Sequence, residues 1–270
     1  MKFGICNEIF QDWNDIGRTI GYVKEAGYDG LEIAPFTLAQ YVTDIPASVR
    51  EDVVKRAAGA DLDILGIHWI LAKTEGFHLT DPDADVRKRT AQYLKDLAHF
   101  CGDVGGKVMV FGSPKQRNLK PGVDREQGLE YAMEVLGEAL PVCEERDVTI
   151  CMEPLAPEET NFCKSAAETV DLIERIDHPQ LNLLLDVKAM TAETDDRPQV
   201  IRQYAHYLDH FHANDPNLKG PGFGDVDFGP IFEALKEVDY DGYVSVEVFN
   251  FDDGPETIAT KSLEYMKRFV

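Results

Sequence analysis

A closed (β/α)₈ barrel that takes up the whole chain is the fold this sequence predicts, and three observations predict it. Strand-like apolar runs alternate eight times with segments of helical spacing. No Ser/Pro-rich linker or charge block divides residues 1–270, so they read as one α/β domain of the length usual for such barrels, about 250 residues. The first strand leads into CNEIFQDW, without the glycine-rich fingerprint an open doubly wound sheet would carry there.

The runs that read as strands are KFGICNE (2–8), GLEIAP (30–35), DILGIHWIL (63–71), KVMVFGSP (107–114), VTICMEPL (148–155), LNLLLDV (181–187), LDHFHAND (208–215) and YVSVEVF (243–249). Near-continuous Val, Ile, Leu and Phe is how a strand buried on both faces of a parallel sheet is written. Helical spacing fills 12–26, 47–60, 83–104, 125–145, 165–177, 196–206 and 228–238, and 255–269 closes the chain. Asp12 and Ser165 stand where helix N-caps belong, and Gly27 ends the first helix before a strand. Short polar tethers, GYDG (27–30) and DYDG (239–242), lead into the second and eighth strands.

Composition narrows the functional classes. Hydrophobic residues at 44% support a sizeable core. A net charge of −22, from 27 Lys+Arg against 49 Asp+Glu, repels phosphate backbones and anionic lipid surfaces, so neither nucleic acid nor membrane is an expected partner. The acidity itself reads as solubility or as the mark of a host with an acidic proteome. The five cysteines are an odd number without CxxC spacing and lie in or beside apolar segments, as free thiols in a reducing compartment do. The chain starts on a strand-like run, and no apolar stretch approaches about 18 residues, so a soluble cytoplasmic protein is expected. Oligomeric state is left open, a homo-oligomer included.

Four of the apolar runs end on a residue that can bind a metal: Glu153, Asp186, His212 and Glu247. They are spaced roughly 25–35 residues apart, about one strand–helix unit each, which brings them to one end of one sheet. In barrels the C-terminal strand ends carry function. Singly, each has an ordinary alternative, since a carboxylate at a strand end often caps a helix and a histidine among apolar residues is often a hydrogen-bonded core side chain. Together, unpaired buried carboxylates would repel one another, and a cation is the simplest remedy. Three carboxylates and one imidazole make a hard, oxygen-rich site for one divalent ion, Mn²⁺ first, with Mg²⁺, Co²⁺ or Zn²⁺ also compatible.

EPL at 153–155, with Glu159 and Asn161 downstream, is followed in order by LLLDV, FHAND, GPGFGDVDFGPIFEAL (220–235) and SVEVFN (245–250). On these motifs the whole chain resembles the xylose isomerase-like TIM-barrel superfamily, and within it the D-tagatose 3-epimerase type of sugar epimerase. The resemblance implies that Glu153, Asp186, His212 and Glu247 hold the metal and that Glu153 and Glu247 exchange a substrate proton. It also implies a small sugar or polyol substrate, phosphorylated or not, with His68 in contact with it, a structural role being the alternative for that histidine. Glu159, or its neighbour Glu158, matches a further glutamate beside the ligands.

Other candidates come from the residues alone. Phe36, Trp69 and Phe249 could wall a sugar, with core packing the equal alternative. Arg117, after Ser113 and Gln116, is a candidate anion clamp or a solvated loop residue. The glycines of 220–229 mark either a phosphate-binding segment or a tight turn capped by Asp227. Two departures from the epimerase group stand out: Ala189 where that group has a histidine, and ANDPNL (213–218) where it has an arginine. Lys188 is a candidate substitute for one of them, with a solvated loop lysine the equal alternative.

Carboxylates flanking a carbon beside a carbonyl serve epimerisation and aldose–ketose isomerisation alike. An inosose-type dehydratase would use the same site. A catalytically inactive sugar-binding barrel would not need both glutamates. An apurinic endonuclease of the endonuclease IV type shares barrel and ligand order, but three zincs need more imidazoles, and the corresponding positions are Gly112, Ala189 and Asp227.

Overall fold

The computed structural model of the protein describes residues 1–270. Eight parallel strands close a barrel in sequence order: β1 (Lys2–Cys6), β2 (Gly30–Ile33), β3 (Asp63–Ile67), β4 (Val108–Phe111), β5 (Thr149–Met152), β6 (Leu181–Asp186), β7 (Leu208–Ala213) and β8 (Tyr243–Val246). The helices are α1 (Ile16–Ala26), α2 (Ala47–Ala60), α3 (Ala84–Asp103), α4 (Arg125–Arg146), α5 (Ala166–Ile176), α6 (Arg197–Tyr204), α7 (Gly229–Glu237) and α8 (Pro255–Met266). β1 closes the ring against β8, with Phe3 opposite Val244 and Ile5 opposite Val246. Two tyrosines clasp the last helix to the start of the barrel: Tyr28 Oη donates to the Ala259 carbonyl (2.8 Å) and Tyr22 Oη to that of Glu256 (3.1 Å).

Several strands end earlier than their apolar runs. The run 63–71 leaves the ladder at Ile67, yet Ile70 and Leu71 stay buried. Apolar patterning reports burial, and residues beyond a strand end are buried by the loops over the barrel mouth without being paired. The same early ending puts Glu153 and Glu247 one residue past β5 and β8.

Capping follows the sequence at two of three points. Ser165 caps α5 by accepting from the Glu168 N–H (3.2 Å), and Gly27 ends α1 at φ +96°. The first cap is Asp15 rather than Asp12, because a 3₁₀ turn over Asn7–Trp13 intervenes. Asp15 Oδ1 accepts from the N–H groups of Gly17 (2.9 Å) and Arg18 (3.1 Å). All five cysteines are buried free thiols, and no helix is long and apolar enough to cross a membrane.

Gly66 on β3 pairs with Val108 on β4, and a Cβ there would drive into the Val108 carbonyl. Gly66→Ala should therefore cost about 1–3 kcal/mol in urea unfolding, the usual penalty of overpacking. A loss below about 0.5 kcal/mol, the scale of an ordinary surface change, would show that the two strands can part freely.

Candidate metal centre and active site

At the C-terminal mouth of the barrel, consecutive strands deliver Glu153, Asp186, His212 and Glu247, each no more than 5% exposed. One ligand atom from each lies within 4.8 Å of the others. Asp186 is fixed on both oxygens: Oδ1 accepts from the Ala189 N–H (2.7 Å) and Oδ2 from the Asn214 amide (2.5 Å). His212 Nδ1 faces Glu247 Oε2 at 3.1 Å. Glycine at 112 makes room for Glu153, since a Cβ there would strike its carboxylate.

Charge is the dominant feature. Burial, then Glu247 and Asp186, push the Glu153 carboxyl well up. Burial and Glu247 push Asp186 up to about 6, although the Ala189 N–H opposes them. Burial acts to raise Glu247 as well, but His212 overrides it and holds that carboxyl below the usual range. Burial acts against a charged His212, and the carboxylates of Glu247 and Glu32 overcome it and hold its pKa well above the usual value. One imidazole cannot offset three buried carboxylates. The donor set, three hard oxygen groups and a nitrogen converging on one point, fits a divalent cation of the Mn²⁺ or Mg²⁺ kind.

Beneath this cluster lies a second layer that sequence reasoning missed. Glu32 on β2 is fully buried and faces two imidazoles, His210 Nε2 at 2.8 Å and His212 Nε2 at 3.1 Å. With the Nε2 proton of His212 held on Glu32, Nδ1 is the nitrogen turned to the ligand cluster. The signals were present: Glu32 is a charge inside the apolar LEIAP, and His210 lies two residues before His212 on the same strand face. Glu8 was missed too, because only the fold brings it to His68 Nε2 (2.7 Å). Asn214, two residues after His212 in FHAND, steadies Asp186 through its side-chain amide.

A cavity of about 410 Å³ opens beside the cluster, with Trp69, Ser113, Glu153, Glu159, Glu247 and Phe249 among its lining. Glu159 rather than the exposed Glu158 faces it. Lys188 pairs with both oxygens of Glu159 (2.9 and 2.8 Å) and lies over the Phe249 ring at 4.9 Å. Phe36 packs against Trp69 with ring centroids 5.8 Å apart.

His68 and Arg117 lie away from the cavity lining. His68 is fully buried behind the lining and bound to Glu8, because the third strand's end turns it inward. Arg117 is fully buried, and its Nη1 donates to the backbone carbonyls of Glu153 (2.6 Å) and Phe111 (3.4 Å). The turn after β4 folds it behind β5, where it holds backbone rather than facing the cavity. The 220–229 segment is gathered by Asp215, which accepts from the Val226 N–H (3.1 Å), and Asp227 accepts from the Gly229 N–H (2.9 Å) at the start of α7.

Residues 20–269 match the family described as xylose isomerase-like TIM barrel. The D-psicose 3-epimerase of Ruminiclostridium cellulolyticum is 30% identical, over 92% of this chain and 84% of that protein. The 3-dehydro-D-guloside 4-epimerase of Escherichia coli is 26% identical, over 92% of each. Among solved structures, D-psicose 3-epimerase from Clostridium cellulolyticum superposes with a TM-score of 0.87 at 24% identity, covering 100% of this chain and 99% of that one. The 3-keto-D-glucoside 4-epimerase of E. coli superposes with a TM-score of 0.86 at 22% identity, covering 99% of each. At these identities the superpositions speak for the fold.

Titration with Mn²⁺, with free ion followed by electron paramagnetic resonance, should find one site per chain. Glu32→Gln should weaken it by about 10–100-fold, the usual effect of removing the carboxylate behind a metal-binding histidine. Unchanged affinity would show that His212 is oriented without Glu32.

Proposed function

The chain belongs to the xylose isomerase-like TIM-barrel family, and from that premise we propose that it is a divalent-metal-dependent ketose epimerase that inverts a carbon beside the carbonyl. One observation carries the proposal. Of the four clustered groups, Glu153 and Glu247 line the cavity while Asp186 and His212 do not. Each glutamate is long enough to keep one oxygen in the cluster and offer the other to a bound molecule. Aspartate and histidine at the same depth can only hold the ion.

In this reading Glu153, Asp186, His212 and Glu247 hold one Mn²⁺-like ion. When bound, the ion supplies the positive charge that stabilises the substrate's enediolate. One glutamate takes the proton from carbon on its side, and the other returns a proton on the opposite side, so the centre is inverted. Phe249 and Trp69 enclose the sugar, and Glu159 with Lys188 offers polar contacts to its hydroxyls. His68 and Arg117 support the site from behind the cavity wall. That the named relatives above are 3- and 4-epimerases favours inversion over aldose–ketose exchange or elimination.

Mn²⁺-loaded protein incubated in D₂O with a panel of ketoses, aldoses and inososes should place deuterium beside the carbonyl of a ketose and yield its epimer. Loss of water from an inosose instead would make the protein a dehydratase. Glu153→Gln and Glu247→Gln should each lower turnover by about 10²–10⁴ with some metal retained, the range for a lost general acid or base. Asp186→Asn should act through metal affinity and be rescued by excess Mn²⁺. Failure of that rescue would give Asp186 a part in the chemistry.

A further inference from the structure

Trp69 combines three features that packing alone does not require. Its backbone lies at φ +49°, a left-handed conformation that a bulky side chain rarely adopts. Its indole is stacked with two rings, Phe36 (5.8 Å, 29°) and Phe249 (5.9 Å, 17°), which set its plane. Its single polar atom, Nε1–H, donates to Glu247 Oε1 at 2.7 Å, inside the cavity. Glu247 Oε2 meanwhile faces His212 Nδ1 at 3.1 Å, on the cluster side. The carboxylate is therefore gripped at both ends, one oxygen among the ligands and one in the cavity. Glu153 has no such partner: its backbone groups are bonded, to Arg117 and to the Phe111 carbonyl, while no side-chain donor holds its carboxylate.

We propose that Trp69 is a positioning residue that keeps Glu247 Oε1 pointed at the substrate carbon. The proposal rests on the epimerase reading above. In the step concerned, the C–H bond breaks as an O–H bond forms at Oε1, and the C–H electron pair becomes part of the substrate enediolate. Glu153 supplies the proton on the other side. Without the indole N–H, Oε1 is free to swing towards the ion as a second ligand atom, which removes the base from the carbon and leaves the ion in place. An aromatic donor held in a strained backbone is a rigid way to prevent that rotation.

Trp69→Phe keeps a ring in the stack and deletes only the donor. For an epimer pair such as D-fructose and D-psicose, epimerisation should fall about 10–100-fold in kcat with KM little changed, the scale of a misplaced reacting group. The two epimers should also separate in D₂O. The one deprotonated by Glu153 should still exchange its proton into recovered substrate, while exchange into the other falls with turnover. Independently of any sugar, Mn²⁺ affinity should equal or exceed that of the wild type, and a crystal structure of the Mn²⁺ form should show Glu247 Oε1 turned towards the ion. Wild-type epimerisation, equal loss of exchange in both epimers, or weakened Mn²⁺ binding would overturn the assignment. If the wild type itself exchanges no ketose proton, the epimerase reading falls, and the Mn²⁺ affinity and Glu247 orientation still decide whether Trp69 restrains the carboxylate. Trp69→Tyr, which also retains a ring, takes the same measurements if thermal unfolding shows Trp69→Phe to be unstable.

Discussion

Everything at the mouth of this barrel is arranged around mutual repulsion among three buried carboxylates. Glu153, Asp186 and Glu247 converge with His212, each almost wholly buried. Two unit charges about 4 Å apart interact by roughly 4 kcal/mol at an effective dielectric near 20, so ionising all three is costly. The structure answers by setting imidazoles against acids. His212 sits between Glu247 above and Glu32 below, Glu32 meets His210, and Glu8 meets His68. Glu247, Glu32 and Glu8 each lie against an imidazole, so none of the three is buried without a polar partner. The mouth is where that pairing runs out of bases, and it is where a divalent cation fits.

The two halves of the barrel divide the work. β5 to β8 present the four clustered groups from neighbouring strands. β1 to β3 and the turns that follow them provide Glu8, Glu32, His68 and Trp69: Glu32 reaches across to His212 and Trp69 to Glu247, while Glu8 and His68 pair with each other. A closed ring makes this reach available, because β1 pairs with β8. Gly112 belongs to the same arrangement, since its missing side chain is the space into which Glu153 projects.

The surface obeys different rules. Its ion pairs, such as Lys2–Asp63 and Arg202–Glu237, are about half exposed. Pairs of that kind contribute about 0–1 kcal/mol each, so the surface charge of this acidic chain acts through solubility and choice of partners more than through the fold. The buried acids are few by comparison, and burial is what makes their charge expensive.

Sequence by itself determined the barrel, the number and order of its units, and the four clustered residues. Buried parallel strands are written as apolar runs, and a functional group at a strand end interrupts such a run at a regular spacing. Glu153 after ICM and Asp186 after LNLLL could be found that way. Tertiary structure alone decided the rest. His68 and Trp69 are adjacent in sequence, but one turns inward to Glu8 and the other towards the cavity and Glu247. Arg117 looked like a cation available to an anion and is instead spent on the carbonyls of Phe111 and Glu153. Glu32 lies 180 residues from His212 and 2 from Gly30. No local pattern encodes that meeting, because it arises only when the eighth strand closes on the first and brings opposite sides of the ring within hydrogen-bond reach.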